Sequence, residues 1–188
     1  PKKIPKTLSA HGDDRVDDYY WLRDDTRKDP EVISYLEAEN QFLDDWFAVN
    51  DDRRQEIYEE LVSYIPAKEV SMKIKHGDYV YFSEMQSDQQ YKTYFRELHG
   101  KKETILEVNK LAEGYDYFNI AALTPSSDNL MIAYAEDLSG RREYNIKIKD
   151  LKSGAIIDST IQNSSGSTVW NKSNTAIYYA QKDPVTLI

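Results

Sequence analysis

The segment HGDDRVDDYYWLRDD, from His11 to Asp25, concentrates side chains that could do chemistry. It contains one histidine, six aspartates, two arginines and three adjacent aromatic rings. Paired carboxylates can act as general acid and base, and clustered carboxylates can bind calcium. These aspartates lack the alternating ligand spacing and the turn glycine of an EF-hand loop. We therefore interpret them as a solvated face and as helix caps.

Four adjacent residues of this segment predict a docking anchor. They are Tyr19, Tyr20, Trp21 and Leu22. Together they carry more apolar surface than an isolated loop should leave in water, so we expect them to be buried against another part of the molecule. Arg15 and Arg23 could pair with neighbouring aspartates or with the docked surface, and the sequence does not choose between these two arrangements.

The rest of the sequence contains no catalytic motif. A hydrolase nucleophile elbow needs Gly-x-Ser-x-Gly between a strand and a helix, and the nearest segment, NSSGSTVW at 163–170, lacks the second glycine. We predict that this segment is a turn, because Ser, Asn and Gly favour loops. His76 and His99 each precede a glycine, which predicts exposed rings in turns. The sequence thus predicts no catalytic residue, no metal site and no cofactor in this chain.

Composition argues against several classes of function. The 188 residues carry a formal net charge of −9 and include no cysteine. The charge argues against nucleic acid and membranes as partners, and the lack of cysteine excludes disulfides, cysteine-ligated zinc and a thiol nucleophile. No apolar stretch follows the basic residues at the start, and none approaches the roughly 18 residues of a membrane span. We expect a cytoplasmic protein, and a periplasmic location is also compatible with the sequence.

Two amphipathic helices are predicted in the first third of the chain. Asp29 is placed to cap a helix over 29–49, with Pro30 at its first position. The apolar stripe of this helix consists of Val32, Leu36, Leu43, Trp46 and Phe47. A second helix, in RRQEIYEELVSYI at 53–65, should end at Pro66. Each helix must pack on a sheet of this chain or on a further domain, since an apolar stripe does not identify its partner.

After the helices the hydrophobic period changes to two, which predicts short β-strands. Phe82, Tyr134 and Tyr179 occupy matching positions in three copies of a polar turn followed by an alternating strand. A β-rich repeat of about 45–50 residues is typical of a β-propeller blade. The predicted fold is therefore mixed, with a helical segment at 1–70 and, at 71–188, two all-β propeller blades and the start of a third. Because so few blades cannot close a ring, we expect the front portion of a longer protein.

The opening segment and several later ones resemble a known family. HGDDRVDDYYWLRDD followed by DPEVISYLEAEN resembles the N-terminal signature of the oligopeptidase B branch of the prolyl oligopeptidase family of serine peptidases. The resemblance extends over almost the whole chain, through IYEELVSYIP, EVNKLAEGYDYFNI, TPSSDNLMIAYAEDLSGRREYNIKIKDL and SGSTVWNKSNTAIYYAQKDP. The Tyr-Tyr-Trp signature and GRREY at 140–144 are quite specific to this branch. One departure is Asp18, where prolyl oligopeptidase proper usually carries a proline.

The resemblance implies a seven-bladed propeller inserted between this N-terminal segment and a C-terminal α/β-hydrolase domain. In such proteins the N-terminal segment packs on the hydrolase domain, and the propeller limits substrates to short peptides. The branch cleaves after Lys and Arg with a Ser-Asp-His triad, which would lie beyond Ile188, so no triad residue is placed in this chain. The resemblance implies that Tyr19–Leu22 and Trp46 dock on the hydrolase domain, and that short basic peptides are substrates of the full-length enzyme.

Two hypotheses about function remain in competition. In the first, the chain is the non-catalytic front part of a cytosolic serine oligopeptidase, which docks on the hydrolase domain and gates access to it. In the second, the chain is a stand-alone β-rich interaction module that binds cationic peptides or protein partners through its acidic surface. A reading frame that continues into Gly-x-Ser-x-Gly-Gly, with a later Asp and His, would favour the first.

Overall fold

The computed structural model describes residues 1–181 and 183. The chain divides into two compact units, Pro1–Tyr64 and Ile65–Ile188. In the part of the chain that is described, the first unit contains a hairpin, a 3₁₀ turn and two helices, and the second contains two β-sheets and one short helix. No helix in this part is long and apolar enough to cross a membrane.

A tight β-hairpin opens the first unit. β1 (Lys6–Ala10) pairs antiparallel with β2 (Asp13–Asp17). The loop between them is His11–Gly12, with φ angles of 55° and 82°. Two consecutive positive φ angles match the turn that suits the twist of a two-residue hairpin. His11, the one histidine of the suspected chemical segment, is therefore an exposed turn residue.

Both predicted helices are confirmed. α1 (Pro30–Ala48) begins at its proline, and the Asp29 side chain accepts a hydrogen bond from the backbone N–H of Glu31 at 2.9 Å. α2 (Asp51–Ser63) follows after a short loop and ends before Pro66. The local signals were sufficient here because a capping carboxylate and a proline at the first position satisfy or remove backbone donors that the first turn leaves unpaired.

The second unit consists of two antiparallel sheets joined through α3 (Val108–Leu111). The first sheet contains β3 (Lys68–Val70), β4 (Ile74–His76), β5 (Tyr79–Gln86), β6 (Thr93–Leu98) and β7 (Lys101–Glu107). The second has the order β12-β11-β10-β9-β8. Its strands are β8 (Asn119–Pro125), β9 (Met131–Asp137), β10 (Tyr144–Asp150), β11 (Ile156–Trp170) and β12 (Ile177–Gln181).

These strands have the organisation of successive propeller blades. Strands β3 and β4 pair with opposite ends of β5, which continues to β6 and β7 as the first blade. Strands β8, β9, β10 and the start of β11 form the second blade, and the end of β11 pairs with β12 to begin a third. Phe82, Tyr134 and Tyr179 lie in β5, β9 and β12, the second strand of each blade. The repeat predicted from the sequence is therefore present in the structure.

The main core lies between the first and second blades. Its buried residues are Tyr81, Ile105, Leu106, Val108, Phe118, Ile132, Tyr134 and Leu151. A smaller cluster, Ala135, Tyr144 and Ile146, lies within the second sheet. In β9 the residues Ile132, Ala133, Tyr134 and Ala135 are all at most 1% exposed. Consecutive strand residues point to opposite faces, so β9 is covered on both sides, as a blade strand must be.

The predicted turn at NSSGSTVW is wrong. These residues lie inside β11, where the strand passes from pairing with β10 to pairing with β12. Asn163 and Gly166 have φ angles of 55° and 90°, so they bend the strand without ending it. A Cβ at Gly166 would lie 2.8 Å from Cδ2 of Tyr144, which explains the glycine. The Ser164 hydroxyl is fully buried and donates to the carbonyl of Tyr144 at 3.0 Å.

The expectation for His76 is also wrong, whereas His99 is exposed as predicted. His76 ends β4, is half-buried, and its Nε2 donates to the carbonyl of Ser126 at 3.2 Å. Its ring also meets that of Tyr81 edge-on, with 6.0 Å between centroids. The adjacent glycine indicated a turn correctly, but the polar contact with the second sheet depends on tertiary structure.

A buried arginine extends this polar contact between the two sheets. Arg96 in β6 donates from Nη1 to the carbonyl of Asn129 at 2.5 Å and from Nε to Glu103 at 2.7 Å. The hydroxyl of Tyr81 donates to Oδ1 of Asn129 at 2.8 Å. The side chain of Arg96 is only 8% exposed. The two bonds to Asn129 fasten the first blade to the β8–β9 loop of the second, whereas the bond to Glu103 lies within the first sheet.

We expect Arg96→Met to lower the free energy of unfolding by about 2–4 kcal/mol, because it leaves a buried carbonyl and a carboxylate without their donor. Urea denaturation measures this change. Arg53→Met is the control, since Arg53 is an exposed residue of α2, and it should change stability by less than about 0.5 kcal/mol. Equal effects of the two substitutions would contradict the role assigned to Arg96.

Candidate docking site

The predicted anchor contains a 3₁₀ turn, Tyr20–Leu22. The indole N–H of Trp21 donates to the carbonyl of Lys2 at 2.9 Å. Its ring meets that of Tyr35 in α1 edge-on, with 5.7 Å between centroids. Trp21 is therefore half-buried by its own unit, while Tyr19 remains 40% exposed. Of the four anchor residues, Tyr19 is the exposed one.

Lysines of the N-terminal arm, residues 2–6, cover the anchor's aromatic rings. Measured from Nζ to the ring centroid, the pairs are Lys2 with Trp21 at 5.3 Å, Lys3 with Tyr19 at 5.9 Å and Lys6 with Tyr20 at 3.6 Å. At exposed sites such cation–π contacts are worth about 0.5–1 kcal/mol each. The backbone N–H of Ile4 also donates to the carbonyl of Asp18 at 2.8 Å. The sequence analysis did not predict this role, because the lysines and the aromatic residues are far apart in the sequence and are brought together by the β1–β2 hairpin.

The aspartates of the segment serve turns and ion pairs. The Asp17 carboxylate accepts from the backbone N–H of Tyr19 at 2.8 Å. Two others form ion pairs, Asp18 with Lys3 at 3.3 Å and Asp25 with Arg23 at 3.1 Å. Arg23 thus pairs with a neighbouring aspartate, which was one of the two arrangements left open. Within residues 1–181 and 183 no group of three or more His, Cys, Asp or Glu is placed to hold a metal ion.

Asp24 organises the turn that leads into α1. Its carboxylate accepts hydrogen bonds from the backbone N–H groups of Asp29 at 2.7 Å, Lys28 at 2.6 Å and Thr26 at 2.9 Å. The hydroxyl of Thr26 donates to it at 2.7 Å. The bond from Asp29 and the hydroxyl bond favour the ionised form most strongly, and the pKa of Asp24 falls to about 2. Asp24 therefore holds the conformation of the turn that connects the anchor to α1.

The apolar stripe of α1 is exposed. Leu36, Leu43 and Trp46 are 52%, 50% and 57% exposed, and Val32 is the buried residue of this helix. These three exposed residues share one side of the helix, as the sequence pattern predicts. Single exposed apolar residues are ordinary, but several on one side of a helix are a candidate interaction surface. We name Tyr19, Leu36, Leu43 and Trp46 the docking face.

The anchor and Trp46 lie at opposite ends of α1. Trp21 contacts Tyr35 near the start of the helix, whereas Trp46 packs edge-on against Phe47 near its end, with 4.9 Å between centroids. At 1.5 Å per residue, Tyr35 and Trp46 are separated by roughly 16 Å along the helix. A shallow, open depression of about 430 Å³ beside Trp21 is lined by Lys2, Trp21, Glu31, Ser34, Tyr35 and Ala38. The docking face is therefore an extended surface, and the structure does not bring the predicted docking residues into one cluster.

This combination of blades and an N-terminal unit defines a class of protein. Residues 2–188 match the family "Prolyl oligopeptidase, N-terminal beta-propeller domain", and the chain belongs to this family, whose members are serine peptidases. The resemblance inferred from the sequence is thereby confirmed. The β-propeller class of the second unit is also confirmed.

Two curated relatives match nearly the whole chain. Dipeptidyl aminopeptidase BI from Pseudoxanthomonas mexicana is 32% identical over 205 residues, which cover 99% of this chain and 28% of the relative. Protease 2 from Moraxella lacunata is 33% identical over 192 residues, which cover 97% of this chain and 28% of the relative. The chain thus spans less than one third of the length of these relatives.

Solved structures of oligopeptidase B have the same fold in this region. The enzyme from Leishmania major superimposes with a TM-score of 0.89 at 29% identity, covering 97% of this chain and 29% of that one. The enzyme from Trypanosoma brucei, in a closed form with covalently bound antipain, superimposes with a TM-score of 0.86 at 26% identity, covering 97% and 28%. The chain is therefore similar to oligopeptidase B in both sequence and fold.

The lowered pKa of Asp24 predicts that the stability of the turn leading into α1 depends on pH. Because the pKa in the folded state lies below the ordinary value of 3.8, the stabilisation is present above about pH 4 and is lost as the pH falls toward about 2. We expect the amide protons of Lys28 and Asp29 to lose protection from exchange over this range, as measured by NMR. Asp24→Asn should remove this pH dependence. A carboxyl group that titrates at 3.8 would contradict the assignment.

Proposed function

We propose that the chain is the N-terminal, non-catalytic part of a serine oligopeptidase that resembles oligopeptidase B. The single observation that carries this proposal is the docking face, an exposed apolar surface on a unit attached to propeller blades. The family membership and the similarity to oligopeptidase B structures support it. No residue of this chain is assigned to catalysis.

The proposed partner of the docking face is a C-terminal α/β-hydrolase domain of the same polypeptide. Tyr19, Tyr20, Trp21, Leu22 and Trp46 are the residues that we assign to this contact. Leu36 and Leu43 of the same helix add to it, because burying an aliphatic side chain contributes about 1.5–3 kcal/mol. The extended shape of the docking face suits a domain surface better than a short peptide.

The proposed substrates are short peptides, cleaved after Lys or Arg by the full-length enzyme. Further blades would complete a seven-bladed propeller, and the ring would limit access to the hydrolase domain. The net charge of −9 supports a preference for basic peptides, because an acidic surface raises the local concentration of cations. We place the protein in the cytoplasm, and a periplasmic location would suit the same mechanism.

The chain of 188 residues should not hydrolyse an arginyl-amide reporter, whereas the full-length polypeptide should, with loss of activity after a serine-directed inhibitor. Hydrolysis by the purified chain that the same inhibitor blocks would overturn the non-catalytic assignment. A gene that ends near residue 188 and encodes a monodisperse protein would favour the interaction-module hypothesis instead.

Trp46→Ala should destabilise the full-length protein by about 2–4 kcal/mol, because docking would bury a side chain that is 57% exposed in this chain. The same substitution in residues 1–188 alone should cost much less. Gln41→Ala is the matched control: it is exposed on the opposite side of α1 and should change stability by less than about 0.5 kcal/mol in either context. Chemical denaturation compares the four variants, and equal small effects of Trp46→Ala in both contexts would contradict docking through α1.

A further inference from the structure

The loop between β9 and β10 carries two adjacent arginines, Arg141 and Arg142. Both residues are exposed. Exposed loops with small and polar residues are the preferred sites of proteolytic cleavage, and trypsin-like peptidases cleave after arginine. The other Arg-Arg pair of the sequence, Arg53–Arg54, lies in α2. The loop pair therefore has the composition of a cleavage site, so its backbone conformation decides whether it is one.

The buried carboxylate of Asp137 accepts several hydrogen bonds from this loop. Oδ1 accepts from the backbone N–H groups of Ser139 at 2.8 Å and Gly140 at 3.0 Å, and from the Ser139 hydroxyl at 3.0 Å. Oδ2 accepts from the backbone N–H of Arg142 at 2.8 Å. Asp137 is 0% exposed. The Ser139 hydroxyl oxygen also accepts from the backbone N–H of Arg141 at 3.2 Å, so both arginines are tied to this network.

These bonds favour the ionised carboxylate despite its burial. Burial alone would raise the pKa of Asp137, but the hydrogen bonds from Ser139, Arg142 and Gly140 together outweigh it and hold the pKa below its ordinary value. Hydrogen bonds to an ionised acceptor are roughly twice as strong as neutral ones. Opening the loop therefore requires several strong bonds to be broken at once.

The loop conformation that the hydrogen bonds to Asp137 impose does not fit the binding cleft of a peptidase. Gly140 and Arg142 have φ angles of 75° and 59°. An extended peptide that pairs with a binding cleft has negative φ angles throughout, and positive φ is uncommon for residues other than glycine. Arg142 can become extended only if its N–H leaves Oδ2 of Asp137. The same bond that shapes the turn thus opposes cleavage on either side of Arg142.

We propose that Asp137 protects the Arg141–Arg142 pair from peptidases that cleave after arginine, by holding the pair in a turn that their binding clefts do not accept. This role follows from the geometry of the loop and does not depend on the proposed function of the whole protein. In this proposal the Asp137 carboxylate protects the loop from cleavage in addition to shaping the β9–β10 connection. The class of enzyme excluded is that of trypsin-like endopeptidases.

Limited digestion with trypsin tests the proposal, with cleavage sites and rates determined by mass spectrometry. The native protein should be cut after Arg141 or Arg142 at least roughly 100-fold more slowly than a peptide of residues 135–146, because cleavage follows the population of the open loop. Asp137→Asn should raise the cleavage rate at this site roughly 10- to 100-fold. Ser139→Ala removes fewer of the bonds and should give a smaller increase.

Two internal controls separate the loop from the rest of the protein. Cleavage at Arg53–Arg54 should not change in either variant. Asp158→Asn alters a carboxylate that holds a backbone N–H elsewhere, that of Thr160, and should leave the Arg141–Arg142 site protected. Native cleavage at this pair as fast as in the peptide would overturn the proposal. So would a uniform rise at all sites in both Asp137→Asn and Ser139→Ala, because that result would indicate general unfolding.

Discussion

Tyr134 and Ile132 lie between two sheets, and the second unit depends on this packing. Each sheet has apolar residues that water would otherwise contact, and a blade can bury such residues only against a neighbour. The first blade supplies Tyr81, Ile105 and Leu106 to the shared core. Burial of a large apolar side chain contributes about 1.5–3 kcal/mol, so the contact between blades contributes substantially to the stability of this unit. The bonds of Arg96 and Tyr81 to Asn129 then fix how the two sheets meet.

In the first unit, by contrast, part of the apolar surface has no neighbour that buries it. There, Trp21 finds partners in Lys2 and Tyr35, but Leu36, Leu43 and Trp46 do not become buried. The N-terminal arm and the turn that Asp24 organises hold the anchor against α1, so the docking face is organised before any partner binds. A preorganised surface loses less conformational entropy on docking than a flexible one would. The proposed contact with a hydrolase domain therefore follows from what this unit leaves exposed, together with its family.

Local signals and the internal repeat were enough to predict much of the fold. Asp29 and Pro30 located α1, and Phe82, Tyr134 and Tyr179 located the second strand of each blade. The strand through Asn163 and Gly166 was missed because its left-handed residues have the composition of a turn, while the packing of Gly166 on Tyr144 is visible only in three dimensions. His76 was misjudged for a similar reason, since its partner Ser126 is distant in sequence. The docking residues were predicted from apolar content, helical spacing and the family resemblance, and none of these revealed that Trp21 and Trp46 lie apart along α1.

Solvent accessibility at Trp46 tests the proposed docking most directly. Hydroxyl-radical footprinting, with oxidation of each tryptophan quantified by mass spectrometry, compares residues 1–188 with the full-length polypeptide. Trp46 should be readily oxidised in the shorter chain and strongly protected in the longer one. Equal oxidation of Trp46 in both would contradict the claim that α1 docks on the rest of the protein.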